Sequence, residues 1–147
     1  MRIGSLLFGT LLLLPFASAN AAEVFVAYIY GFKTSSPATG AATFTLRDDL
    51  SAIDYVITFQ DLSSPEYLAH VHRSTDDQIV LPLPLGMPKI GTWTSPSAEA
   101  IAQLRSEQLY VNIHSEFYPT GEISGTLKEQ LTPVESKTWG AIKALYR

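Results

Sequence analysis

Ile53-Asp54-Tyr55-Val56-Ile57-Thr58-Phe59-Gln60 sets Ile53, Tyr55, Ile57 and Phe59 at every second position, with Asp54, Val56, Thr58 and Gln60 between them. Successive side chains of an extended chain point to opposite faces, so this period of two predicts a strand with one buried face. Its aromatic and β-branched content agrees. Upstream, residues 23–30 alternate Val24, Val26 and Tyr28 against Phe25, Ala27 and Ile29, and residues 42–47 put Phe44 and Leu46 on one face. Ser35-Ser36-Pro37 and Asp48-Asp49 mark the loop and the turn that separate these strands.

Downstream the same grammar continues. Pro65 lies in a connection over 61–66, and residues 67–72 form the next strand. Residues 79–85 are apolar but contain Pro82 and Pro84, which confines them to an edge strand or an extended segment. A short strand is expected over 91–94. Strands over 109–114 and 122–128 flank the turn Tyr118-Pro119-Thr120-Gly121, as in a hairpin or tight corner. One helix interrupts the pattern: Ser95-Pro96-Ser97 supplies a cap, and Ile101 and Leu104 share a face over 98–106. Short strands at this spacing predict an all-β sandwich or barrel.

The two ends of the chain read differently from its middle. Arg2, an apolar run over 6–16, and the small residues Ala19-Asn20-Ala21 have the pattern of a secretory signal peptide, cleaved after Ala21. The apolar run is short for a span of ~30 Å of hydrocarbon. The expected organisation is therefore a signal peptide over 1–21, a β domain over 22–130, and a tail over 131–147. In that tail Trp139, Ile142 and Leu145 recur at helical spacing after Thr138. The expected location is secreted, periplasmic or cell-envelope, with no membrane span after cleavage, and the tail is a possible contact for envelope proteins. The chain has no cysteine, which excludes thiol nucleophiles, thiolate ligands and disulfides. Its formal charge of −4 carries no basic patch, so nucleic acid is not an expected partner.

The chain has three histidines, and all fall in expected strands. His70 and His72, two residues apart, share a strand face at ~6.5–7 Å between Cα atoms. Two imidazoles so placed can lean onto one ion, and His114 closes the site if its strand lies alongside. Imidazole-only sites suit copper, zinc, nickel or iron. The alternative is that these histidines only pack strand ends. No nucleophile elbow or phosphate loop accompanies them.

Tyr67-Leu68-Ala69-His70-Val71-His72, together with Leu109-Tyr110-Val111-Asn112-Ile113-His114 and Pro119-Thr120-Gly121-Glu122-Ile123-Ser124-Gly125-Thr126-Leu127, resembles the CHRD family. That family is named for the repeated domain of animal chordin and is widespread in bacterial exported proteins. The resemblance spans 22–130. It implies an immunoglobulin-like β-sandwich, similar to the copper-binding strands of copper/zinc superoxide dismutases, with one short internal helix. It also implies a metal site at His70, His72 and His114, with copper first. No catalytic residue is carried over. Arg73-Ser74-Thr75 stands where the family often has Gly-Pro-Ala, and Ser124 replaces an arginine, whose role cannot be transferred. Three functions follow: a copper-binding exported domain, a non-catalytic structural or interaction module of the envelope, and, last, a dismutase-like redox enzyme.

Overall fold

A computed structural model describes residues 22–31 and 33–131 of the 147-residue chain. The expected signal peptide and the expected tail helix lie outside the described residues. The elements run β1 Glu23–Tyr30, β2 Thr39–Leu46, β3 Ala52–Gln60, β4 Glu66–Arg73, β5 Ile79–Pro82, β6 Lys89–Thr94, α1 Ala98–Arg105, β7 Leu109–Ser115, β8 Ile123–Thr126 and β9 Lys128–Glu129. All strand pairs are antiparallel, in the order β5-β4-β7-β8-β1-β2-β3-β6, with β9 on β1.

The alternation read from the sequence decides which face is buried. In β3, Ile53, Tyr55 and Ile57 point inward; in β1, Phe25, Ala27 and Ile29 do. Phe44 of β2 stacks on Tyr55 with ring centroids 5.5 Å apart. From the other half of the sheet come Ala69 and Val71 of β4 and Leu109, Val111 and Ile113 of β7. Burying each large aliphatic or aromatic side chain contributes about 1.5–3 kcal/mol. This shared inner face is the core of the all-β fold the sequence predicts.

Helix α1 starts where its cap was expected. The Ser97 hydroxyl accepts from the Ala100 amide at 3.1 Å, with Glu99 in the first turn and Arg105 in the last. Ile101 and Leu104 enter the core. Arg105 grips the Glu23 carboxylate of β1 in a two-point bond from Nε and Nη2.

The sheet curls until it is nearly closed. Lys89, on edge strand β6, is fully buried and bonds Glu66 on β4, next to the opposite edge strand β5. The same ammonium donates to the carbonyls of Pro84 at 2.7 Å and Gly86 at 2.9 Å. Edge strand β5 ends at Pro82, a residue that blunts an edge because it has no N–H to offer a further strand.

Candidate metal centre

The outer face of β4 and β7 carries the chain's three histidines. The two strands are neighbours: His70 lies opposite Asn112, His72 opposite Tyr110, and Leu68 opposite His114. Ala69, Val71, Leu109, Val111 and Ile113 enter the core, so His70, His72 and His114, which alternate with them, all face outward together. The condition that the sequence left open, a shared face on adjacent strands, is met.

The three rings converge. His70 lies 5.4 Å from His72 and 5.3 Å from His114, centroid to centroid, and His72 lies 6.2 Å from His114. One nitrogen from each ring falls within 4.8 Å of the others. Around a single ion at ~2.0–2.1 Å, two ligand nitrogens can stand at most about 4.2 Å apart. Small side-chain rotations therefore suffice to close the set.

Two backbone carbonyls set the orientation of the rings. His72 Nδ1–H donates to the carbonyl of Asp77 at 2.8 Å, and His114 Nδ1–H donates to that of Pro119 at 2.9 Å. With Nδ1 carrying the proton, Nε2 of each keeps its lone pair. Those Nε2 atoms, and Nδ1 of His70, are buried and have no hydrogen-bond partner. Buried polar atoms are nearly always partnered, so three unpartnered ring nitrogens in one cluster are compatible with a bound cation. Carbonyls that hold the far nitrogen of each ring are the usual outer support of a metal-ligating histidine.

Electrostatics favour the neutral form of His70 and His114. Burial lowers the His70 pKa, and the nearness of His114 and His72 lowers it further. Burial also lowers that of His114, against the bond to Pro119, which favours the charged form, and His72 adds to the lowering. Neutral imidazole is the species that binds metal.

Sequence reasoning found the histidines and missed their supports. Asp76 and Asp77 lie in an exposed turn, where Asp77 takes a left-handed backbone, φ 56°, and its carbonyl accepts from His72. Arg73, at the departure from the family pattern, braces this turn through Asp76, Gln78 and Glu99. Tyr110 stacks on His72, centroids 5.3 Å apart and planes 16° from parallel, and donates to the Asp77 carboxylate at 2.9 Å. Burial and that bond push the Tyr110 phenol up to about 12. Beside His114, Glu122 is buried and accepts from Ser36 Oγ at 2.5 Å, Ser63 N at 2.8 Å and Ser63 Oγ at 2.7 Å. It thereby ties the loop that carries Pro119 to two others. A backbone carbonyl leaves no side-chain signature, so only the glutamate of the Pro-Thr-Gly-Glu stretch could have pointed to this support.

The CHRD domain family model matches residues 21–127. No curated protein matches the chain. Both histidine-bearing strands and the Pro-Thr-Gly-Glu turn lie inside the matched region, and the chain belongs to the CHRD domain family.

Proposed function

We propose that this chain is an exported metal-binding domain in which His70, His72 and His114 hold copper. One observation carries the reading: three imidazoles that each bring a ring nitrogen within 4.8 Å of the others, each with a buried nitrogen lacking a partner, two of these opposite a carbonyl bond on the same ring. A set of nitrogens alone suits copper and zinc. Copper stands first because divalent copper binds such donors most tightly of the first-row ions, and three imidazoles accept either of its oxidation states. The apolar run over 6–16 and Ala19-Asn20-Ala21 support export, with Ala22 as the first residue of the mature protein.

The test is titration of the metal-free protein with Cu(II), Cu(I) and Zn(II), repeated on His70→Ala, His72→Ala and His114→Ala. The parent is expected to bind one copper ion with sub-micromolar affinity, and each variant to lose at least tenfold. Parent protein that binds no copper at micromolar concentration, or three variants that bind as the parent does, leaves the histidines as packing residues of a structural or interaction module.

A further inference from the structure

Strand β8 forms the low floor of the outer face. Its outward residues are Ser124 and Thr126, with Gly125 between them. At Gly125 the backbones of β1 and β8 close up so far that a Cβ would stand 2.3 Å from the Tyr28 carbonyl oxygen. Tyrosines rise on either side of this floor. On β1, Tyr30 lies opposite Ser124 and Val26 opposite Lys128, which puts Tyr28 across from Thr126. On β7, Tyr110 lies opposite Thr126 from the other side. Tyr28 is 67% exposed, and its ring centroid is 5.8 Å from that of Tyr30. Tyr110 has one ring face on His72, and it borders the trough with the rest of its surface.

The trough has a volume of about 630 Å³, within the range of small-ligand sites. Neighbouring strands lie ~4.8 Å apart, so the β1 and β7 backbones stand ~9.6 Å apart with only short side chains between them. A flat ring in contact on both faces needs ~7–8 Å. With only short side chains on β8, a trough of this width and volume has room for a sugar-sized ring between the two strands.

The lining chooses the kind of ring. Ser74, Ser124 and Thr126 offer hydroxyls, and the Asp77 carboxylate offers an acceptor, which suits a polyhydroxylated ring rather than an aromatic acid. Tyrosine faces pack on the C–H faces of sugars. Lys33 and Lys128 also border the trough, and among the described residues neither pairs with a carboxylate. Two such ammonium groups against the single carboxylate of Asp77, itself bonded by Tyr110, leave the trough net positive and favour an anion.

We propose that this trough binds a carboxylated pyranose, the uronate ring of an acidic polysaccharide, between Tyr28 and Tyr110 with its carboxylate toward Lys128 and Lys33. The site stands beside the three histidines and does not depend on metal at them. The experiment is calorimetric titration of the metal-free protein with trigalacturonate at low salt, with maltotriose and benzoate as neutral-sugar and aromatic-acid comparisons, repeated on Tyr28→Ala and Lys128→Ala. Saturable binding of trigalacturonate alone is expected. Tyr28→Ala should weaken it roughly threefold to tenfold, the worth of one ring contact. Lys128→Ala should weaken it and flatten its dependence on salt. Both side chains are exposed, so both variants should keep the parent melting temperature, and Tyr28→Ala should keep the parent copper titration, which separates failure here from failure of the metal site. Absence of trigalacturonate binding, equal binding by maltotriose or benzoate, or variants that bind as the parent does would each overturn the proposal.

Discussion

At the scale of single residues, the turn over 118–122 concentrates the most chemistry. Gly121 has φ 118°, a region other residues rarely enter, and a Cβ there would stand 2.3 Å from Asn112 Oδ1. Gly121→Ala must therefore move either Asn112 or the turn whose Pro119 carbonyl holds His114. The expected result is a loss of about 1–3 kcal/mol by urea denaturation, together with weaker copper binding. A loss of stability with copper affinity unchanged would uncouple the turn from the site. Next to it, burial would raise the Glu122 carboxyl, but the hydroxyls of Ser115, Ser36 and Ser63 and the Ser63 amide outweigh burial and hold its pKa below the ordinary glutamate value. A carboxyl lowered in the folded state contributes stability that is full above the unfolded pKa of ~4.3–4.5 and is lost as pH falls through the lower folded value. Glu122→Gln should cost about 1–3 kcal/mol at pH 7, and its stability should fall less steeply than the parent's below pH ~4.5. Parallel acid limbs for the two proteins would show that Glu122 does not carry that dependence.

At the scale of elements, the clamp between β4 and β6 and the cap of α1 make separate demands. Glu66 and Lys89 are a buried pair whose remaining valences are met by the Pro84 and Gly86 carbonyls and the Gly86 amide. Removing one partner strands the other charge away from water, so Glu66→Ala should cost about 3–5 kcal/mol. Replacing both, as in Glu66→Leu with Lys89→Met, should recover most of that loss. If the double variant is no more stable than Glu66→Ala, hydrogen bonds rather than charge hold the strands together. Ser97→Ala removes the one side chain that satisfies the Ala100 amide, for an expected cost of ~0.5–2 kcal/mol, with the β-sheet signature in circular dichroism unchanged.

At the scale of the whole molecule, metal binding and folding are linked. An ion that binds only the folded chain adds RT ln(1 + [L]/Kd), about 2.7 kcal/mol at one hundred times Kd. Copper at that excess should raise the melting temperature by roughly ten degrees or more for a domain of this size, and His114→Ala should abolish the rise. A melting temperature that ignores copper in the parent would contradict a site formed by folding. Secretion from an expressing host should yield a protein whose intact mass begins at Ala22, and a retained Met1 would contradict the expected signal peptide.

Much of this protein was determined by the sequence alone. The alternation of residues 53–60 named the buried face of β3, that of residues 23–30 divided β1 into two faces, Ser95-Pro96-Ser97 marked the start of the helix, and His70-Val71-His72 put two imidazoles on one face. These properties are local: the period of an extended chain and the orphan amides of a helix start belong to a few consecutive residues. Tertiary structure alone decided that β4 lies beside β7, so that His114 meets the pair from more than forty positions away, and that the Glu66–Lys89 pair closes the sheet. It alone delivered the Asp77 and Pro119 carbonyls to the rings and aligned Tyr28 with Tyr110 across β8. Every residue carries the same carbonyl, and strand order depends on which long loops close with the best burial, so neither is written in the identity of any single side chain.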